Sequence, residues 1–479
     1  MSSERTYKMG DVLPPVPIKK MPKPPPSYWQ TVGPDVVLGT LSSGAGELVL
    51  WPLIVCMVGP RLLWLALIGG ILQYFWVQEI ARYTIATGES TFVGFMRTKP
   101  GWFWPWFYAI VNAIWISPAW VGAGATSLAE LTGIGGRFGY LLWSYLTLAL
   151  IYIFLGPSKV VYRYIEILFS IVIAIGTIGS VICIGLLSTP KAVMELLTGM
   201  FSFGYIPPTF KSSMIPTLLT AVAYTGNAGT IDCWYSFWLK EKNMGMGAYV
   251  GRVTGLRGKV EEVPQVGYMF DFNDEEQVKD FWTWLKYCKI GSFLWFWLIG
   301  VELIIMLYSL GALVVLVPAG LKPTGLKVAV VQAEWFRKVA GEAGYKFFLL
   351  ALWANLWDAQ FGMYDSMART WADTIWVKFE SARKKSYRYW YWLVMIIQGI
   401  IGAILLPMRL PLPFMLFCGL VAMISMPIIC LHIVWINNKY LPKQARPSIL
   451  TNFMMAVSIV FYTIFAIIGT GQKLGYIKF

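Results

Sequence analysis

The sequence contains little of the chemistry on which most soluble enzymes and metal proteins depend. It has a single histidine, His432, and only 13% of its 479 residues are charged. The six cysteines are scattered and form no CxxC pair, so a disulfide framework and a zinc site are both disfavoured. No Ser/His pair, nucleotide-binding loop or cluster of His, Cys and Asp is present. We therefore expect neither an enzyme nor an ATP-driven pump, and we expect no bound cofactor.

The sequence consists mainly of long apolar runs. Hydrophobic residues make up 57% of the chain, and many runs reach about 20 residues, enough to span ~30 Å of hydrocarbon. The short alternating segments of a β-barrel are missing. The eleven apolar segments lie near 34–58, 61–85, 103–129, 138–156, 161–188, 214–239, 289–317, 345–370, 389–407, 410–436 and 450–471. The pattern predicts an all-α polytopic membrane protein.

The basic residues predict the orientation of the chain. Most of the 39 Lys and Arg lie in the N-terminal tail and in the loops after even-numbered segments. This bias predicts a multi-pass protein of the cell membrane with a cytoplasmic N-terminus and an external C-terminus. The net charge of +14 is explained by these loops, so we expect no nucleic-acid partner.

The distribution of apolar and polar segments along the chain predicts its organisation. Residues 1–32 read as a proline-rich cytoplasmic tail, disordered or in polyproline conformation and without the apolar region of a signal peptide. Residues 33–188 hold segments one to five. Residues 214–436 hold segments six to ten with an insertion at 240–288, and residues 450–471 form segment eleven. The insertion is either a solvated loop or contains an amphipathic helix near 276–286 that lies on the membrane.

Two runs of small residues interrupt apolar segments. One is Ser43–Glu47 in segment one, and the other is Thr225–Gly229 in segment six. Glycine weakens a helix, and non-helical backbone at membrane depth must be buried in protein or line a wet cavity. Paired broken segments in the two halves of a chain are typical of the central binding site of a transporter.

An ordered series of short motifs surrounds the first break. It consists of Gly33-Pro34, the break itself, Leu62-Leu63-Trp64, and Ala81 to Gly88 ending in Ile-Ala-Thr-Gly. This series resembles the start of the Nramp family of divalent-metal transporters, and in particular a divergent branch that includes magnesium transporters. The resemblance implies a LeuT-type fold of five-plus-five inverted repeats, about eleven transmembrane helices, and breaks in helices 1 and 6. We also expect segments one and six to enter the membrane from the same side.

The chain departs from the family at the metal ligands. The family motif Asp-Pro-Gly-Asn aligns with Gly44, Ala45, Gly46 and Glu47, so the aspartate is lost and a glutamate replaces the asparagine. The Met-Pro-His motif of the sixth helix aligns with Asn227-Ala228-Gly229, which has neither thioether nor imidazole. The resemblance therefore implies where the site lies, while oxygen ligands favour Mg²⁺ or Mn²⁺ over softer metals.

Five residues at the breaks are predicted to contact metal or substrate. They are Ser43, Gly44, Glu47, Gly226 and Asn227. A carboxylate at membrane depth is expensive unless it faces a polar cavity. Glu47 could instead cap the second half of its helix, and the Asn227 amide could instead bond freed backbone groups.

Four acidic residues are predicted to support the site or couple ions to it. They are Asp232, Asp358, Glu79 and Glu302. Asp232 could equally be a helix-start charge, and Glu302 could pair with a basic group elsewhere. Glu79 precedes Arg82 by three residues and Asp365 precedes Arg369 by four, spacings that predict intrahelical ion pairs. His432 is expected to be a satisfied interfacial histidine.

These features predict a secondary transporter of a divalent cation, Mg²⁺ or Mn²⁺, that works by alternating access around the two breaks. One alternative is a cation-coupled symporter of an organic solute on the same fold, and another is a membrane sensor that does not transport. The expected partners are the metal ion and the lipid bilayer. Proton coupling and oligomeric state stay open.

Overall fold

The computed structural model describes residues 5–44, 46–158, 160–255, 257–323 and 330–473. Ala45, in the first break, lies outside the described residues. The first five membrane helices are helix 1 (Pro34–Ser42, Gly46–Leu50 and Trp51–Val58), helix 2 (Pro60–Leu62 and Trp64–Thr87), helix 3 (Phe103–Asn112, Ala113–Ile116 and Ala119–Thr132), helix 4 (Gly136–Leu155) and helix 5 (Val161–Leu187).

Six more membrane helices follow. They are helix 6 (Ile215–Ala223 and Thr230–Glu241), helix 7 (Glu275–Gly291, Ser292–Leu303, Ile304–Gly311 and Ala312–Leu316), helix 8 (Ala333–Lys378), helix 9 (Tyr387–Leu405), helix 10 (Pro411–Tyr440) and helix 11 (Ile449–Lys473). A short helix at Thr91–Met96 connects helices 2 and 3, and another at Pro190–Met200 connects helices 5 and 6.

The described spans differ from the predicted segments at three places. Nine of the described helices are long and apolar enough to cross a membrane by themselves. Helix 6 is divided by its break into two short pieces, and helix 8 runs 46 residues with a kink at Ala340–Gly341. Helix 7 begins at Glu275, well before the predicted residue 289, because the amphipathic helix of the insertion continues directly into it. The insertion is therefore not merely a solvated loop.

Helices 1 and 6 lie at the centre of the bundle and run in opposite directions. The first half of helix 1 packs on the second half of helix 6, and the second half of helix 1 packs on the first half of helix 6. The expectation that both enter from the same side is therefore wrong, because an inverted repeat reverses its second half. In helix 1, 82% of the most apolar stretch is buried, against 22% in helix 11, which faces the lipid.

The N-terminal tail is folded, which corrects the expected disordered or polyproline segment. Strands β1 (Thr6–Tyr7) and β2 (Val16–Lys19) pair antiparallel, and β2 pairs parallel with β3 (Met269–Phe270) from the insertion. Met9, Val16 and Met21 are buried in this small sheet and its surroundings. Apolar side chains between the prolines supply the core that proline content alone did not predict. We call this side of the bundle the tail face, and the opposite side the far face.

A buried ion pair fastens the tail to the bundle. Glu89, just past the end of helix 2, accepts hydrogen bonds from Arg97 (2.5 Å), from the Tyr83 hydroxyl (2.6 Å) and from the Gly267 N–H (2.9 Å). The Arg97 guanidinium also donates to the carbonyls of Met9 and Pro14 in the tail. Burial opposes ionisation of the carboxyl, but Arg97 and the hydrogen bonds outweigh burial and lower the pKa of Glu89.

This arrangement predicts a pH-dependent contribution to stability. Because the pKa of Glu89 is lowered in the folded state, its contribution is complete above its ordinary value of 4.5 and is lost as pH falls through the lowered pKa. Glu89→Gln should lower the unfolding free energy at pH 7 by about 3–5 kcal/mol. Thermal unfolding measured between about pH 3 and pH 7 should show the two proteins converging in acid. A constant difference at every pH would contradict this assignment.

Candidate metal site at the two helix breaks

The two predicted breaks touch each other in the middle of the bundle. A methyl group added at Gly46 would collide with the carbonyl oxygen of Tyr224, so glycine permits the close approach of the two chains. Glu47 Oε1 accepts a hydrogen bond of 2.9 Å from the backbone N–H of Gly226. The structure thus places the first break directly against the second.

The break in helix 6 has a backbone that only a few residue types adopt easily. Gly226, Ala228 and Gly229 have φ values of 108°, 52° and 79°. A side chain at Gly226 would also press on the carboxamide of Gln73. Glycine is the residue that occupies this region without steric cost, so the small residues of the motif are required by the turn.

Glu47 is completely buried, and only one of its two carboxylate oxygens has a hydrogen-bond partner in the described chain. It lies in the wide helical turn Gly46–Leu50 that begins the second half of helix 1. The bond from Oε1 crosses to helix 6, while Oε2 has no hydrogen-bond partner among the described residues. Backbone N–H groups of Gly44 and of Glu47 itself also face the carboxylate, so the side chain combines an interaction with its own helix start and the contact to helix 6. A buried charge with a free oxygen is costly unless a cation or proton satisfies it.

Asn227 adds a second free oxygen. Its N–H donates to Gln73 Oε1 at 2.9 Å, and its Nδ2 donates to the carbonyl of Leu38 at 3.2 Å. Its Oδ1 finds no partner in the part of the chain described. Gln73 also donates to the carbonyl of Ala223, so it clamps the turn from both sides. Backbone bonding thus uses the donors of Asn227 and leaves its acceptor available.

Asp232 stands one turn further along helix 6, beside the Asn227 amide. Its Oδ2 accepts a 3.0 Å bond from the N–H of Gly229 and so caps the second half of the helix. Its Oδ1 is buried without a partner in the described chain. The carboxylate therefore combines the helix-start role with negative charge next to the break.

Ser43 and Gly44 begin the first break, directly after the first half of helix 1 ends at Ser42. The Ser43 hydroxyl lies 3.0 Å from the carbonyls of Gly39 and Gly300, which fastens helix 1 to helix 7. Gly44 faces the indole nitrogen of Trp120. Ser43 also lines a small cavity toward the far face, together with polar side chains of helices 5, 7 and 8, among them Asn355.

Asp358 and Glu302 are buried with no partner for either oxygen in the described residues. Asp358 lies one turn before Gly362, which packs on Leu41, so it faces the half of helix 1 that precedes the break. Glu302 faces Gly70 and Trp297, and its carboxylate is close enough to repel that of Glu47. Both are placed where a proton or a cation could compensate them.

Other predicted residues lie away from the breaks. Glu79 accepts from Arg82 at 2.8 Å and from the Asn437 side chain at 2.8 Å, so both its oxygens are used in a structural pair. Asp365 pairs with Arg369 at 2.8 Å. His432 is bonded on both ring nitrogens, by Tyr108 and Thr98, as expected for a satisfied histidine.

The tail face beneath the breaks is sealed by polar pairs, of which only Asp365 with Arg369 was predicted from the sequence. Tyr235 donates to Asp35 at 2.5 Å, which joins the first half of helix 1 to the second half of helix 6. Arg369 of helix 8 binds both Asp365 and Glu241, the last residue of helix 6. These contacts hold the two half-helices against helix 8.

Two further residues at the break were also missed. Gln73 was hidden in the apolar segment two, although a carboxamide in the middle of such a segment is itself a signal. Helix 10 places Met426 against Gly229, and nothing in the local motif indicated this contact. A thioether therefore lies next to the second break even though the motif has lost its methionine.

The site does not resemble a prebuilt metal centre. Across the described ranges, no group of three or more His, Cys, Asp and Glu side chains is arranged to hold a metal ion. The free atoms at the breaks are carboxylate and amide oxygens. Such a set, with one or two carboxylates, suits a hard cation that keeps part of its water shell, as Mg²⁺ commonly does.

Comparison with known proteins gives the fold. No family model and no curated protein matches this sequence. The manganese transporter of Eremococcus coleocola is similar in structure, with a TM-score of 0.63 at 13% identity over 98% of this chain and 91% of that chain. Mhp1, a transporter of the nucleobase-cation-symport-1 family, has a TM-score of 0.53 at 12% identity over 93% and 91%.

MhsT, solved with L-phenylalanine, has a TM-score of 0.52 at 15% identity over 90% of this chain and 98% of that chain. The three similarities confirm the predicted fold class: the chain is a polytopic membrane protein with the LeuT-type five-plus-five inverted repeat and broken helices 1 and 6.

Proposed function

We propose that this protein transports a divalent metal cation, Mg²⁺ or Mn²⁺, through a site formed by the breaks of helices 1 and 6. The observation that carries the proposal is the pair of free, buried oxygens, Glu47 Oε2 and Asn227 Oδ1, where the two breaks meet. The structural similarity to a manganese transporter supports a metal substrate and favours transport over catalysis.

The charge of the site favours a cation over an organic anion. Half-helix N-termini attract anions, but the Glu47 carboxylate at the break would repel the carboxylate of an amino acid. Carboxylate and amide oxygens suit Mg²⁺ and Mn²⁺, and Met426 beside Gly229 offers a softer contact that Mn²⁺ tolerates better than Mg²⁺. We therefore propose both Mg²⁺ and Mn²⁺ as transported ions.

We place the tail face in the cytoplasm, in accord with the distribution of Lys and Arg. A divalent cation entering a negative interior then gains about 4.6 kcal/mol at 100 mV, because two charges cross the potential. Uptake therefore needs no proton, although Glu302 and Asp358 provide groups that could carry one. In the described state the tail face is sealed, while the small cavity at Ser43 approaches the site from the far face.

Uptake by proteoliposomes tests the proposal. The purified protein is reconstituted, and entry of Mg²⁺, Mn²⁺ and Ca²⁺ is followed separately under an imposed potential, with an internal pH dye in parallel. We expect saturable flux of Mg²⁺ or Mn²⁺ that grows with an interior-negative potential. Acidification that accompanies metal entry would indicate proton coupling. Absence of all divalent flux, with L-amino acids taken up instead, would refute the proposal in favour of the organic-solute alternative.

Replacement of Asn227 tests the second break independently. Asn227→Ala removes the free Oδ1 and the bond from Nδ2 to the Leu38 carbonyl but keeps the backbone bond to Gln73, so the turn should survive. We expect the half-saturating metal concentration to rise about tenfold, as for loss of a supporting ligand, with little change in thermal stability. The measurement is initial uptake rate against metal concentration. Unchanged affinity and selectivity would remove Asn227 from the site.

A further inference from the structure

A second cavity opens at the far face, outside the transport route. It has a volume of about 760 Å³, within the range of ligand-binding pockets, and lies between helices 2, 6 and 11. Its walls are mainly apolar and include Trp64, Leu218, Phe465 and Ile468. It shares no lining residue with the site at the breaks. Its size and apolar walls indicate a hydrophobic ligand.

The surroundings of the cavity indicate that this ligand comes from the bilayer. Helix 11 carries exposed apolar side chains next to the lining residues, with Ile464 50% exposed and Ile467 59% exposed. Such surface on a membrane helix faces lipid. Trp64 marks the end of helix 2 at the level of the membrane interface, where tryptophan is enriched. The cavity is therefore open sideways to acyl chains.

The polar end of the cavity is positive. Lys211, with Ser212 and Ser213, closes the end nearest the far face. Lys211 is exposed and has no carboxylate partner in the ranges that the structure describes. Arg61, one turn before Trp64, contacts the Tyr205 ring and the Ser202 hydroxyl and is likewise not paired with a described carboxylate. Two cations thus flank the mouth of an apolar cavity.

We propose that this cavity binds one anionic phospholipid, with an acyl chain between helices 2, 6 and 11 and the phosphate at Lys211. The chemistry combines apolar burial with attraction of a basic side chain for an anionic headgroup. The acyl chain would contact Leu218 in the half of helix 6 that leads to Gly226, and would steady that half-helix. Binding of this lipid does not depend on the identity of the transported ion.

Native mass spectrometry of the protein released from lipid nanodiscs tests the proposal. The discs contain dioleoylphosphatidylcholine with a minor fraction of dioleoylphosphatidylglycerol, so the chains are identical and only the headgroup differs. We expect one phosphatidylglycerol retained per protein, and retention about fivefold weaker in Lys211→Gln. Ile468→Trp, at a half-exposed position, should narrow the cavity and weaken retention although Lys211 is intact. Added inorganic phosphate should not displace the lipid.

Lys346→Gln is the matched control. It removes one exposed positive charge from the part of helix 8 nearest the far face, and Lys346 does not line the cavity. It should retain the lipid as the unmodified protein does. Equal retention of phosphatidylcholine, or retention that neither Lys211→Gln nor Ile468→Trp changes, would overturn the proposal. Circular dichroism and thermal unfolding of each variant separate loss of the lipid from loss of the fold.

Discussion

Glu47→Gln is expected to abolish divalent-cation uptake while the protein stays folded. The glutamine side-chain oxygen can still accept the bond from Gly226, so the contact between the breaks is kept and only the negative charge is lost. Loss of supporting groups around a metal lowers affinity by 10–100-fold, so loss of a charged ligand should cost about 100-fold or more. Initial uptake rates in proteoliposomes and metal titration by calorimetry measure the two effects.

A surface change provides the control for this variant. Glu195→Gln removes one carboxylate from the exposed side of Pro190–Met200, far from the breaks in sequence and exposed in structure. It should transport normally. If Glu47→Gln transported at the normal rate and affinity, Glu47 would be only a structural link between helices 1 and 6, because the glutamine preserves that link and nothing else.

The second substitution with a large expected effect is Arg369→Gln, at the tail face. Arg369→Gln would leave the carboxylates of Glu241 and Asp365 buried without their cation. Breaking a buried ion pair by removing one partner costs about 3–5 kcal/mol. The same change would free the end of helix 6 from helix 8. We therefore expect reduced thermal stability together with opening of the tail face.

Chemical labelling detects that opening. Cys288 is buried near Asp35 and Tyr235, so a membrane-impermeant maleimide should label it faster in Arg369→Gln, in a background where the half-buried Cys56 is serine. Arg337→Gln is the matched control on helix 8, because that arginine is 40% exposed and its pairs contribute about 1 kcal/mol or less. Unchanged stability and unchanged labelling in Arg369→Gln would show that the network does not close this face.

The sequence was sufficient for the fold class and for the position of the breaks. Long apolar runs determine a helical membrane protein, and small residues at membrane depth reveal where helices stop, since both signals are local. The family resemblance implies that the two breaks form one site, but the bond between Glu47 and Gly226 is seen only in the structure. The ion pairs at Glu79 and Asp365 follow from helical spacing alone.

Contacts between distant segments could not be predicted from the sequence. Gln73 and Met426 reach the second break from helices 2 and 10, and no local pattern indicates which faces of those helices point inward. The tail was mistaken for a disordered or polyproline segment because its strands are short and pair with residues some 250 positions away, as at Ile18 and Met269. The shared direction expected for segments one and six is wrong because the first repeat crosses the membrane five times, an odd number, so helix 6 starts on the opposite face from helix 1.

Anomalous diffraction from crystals containing Mn²⁺ tests the central claim most directly. We expect one strong anomalous peak where helices 1 and 6 break, within coordination distance of Glu47 Oε2 and Asn227 Oδ1, and we expect its loss in Glu47→Gln crystals grown in the same way. The contrary result is a metal bound elsewhere in the protein, or a protein that takes up Mn²⁺ in liposomes while its breaks hold no peak.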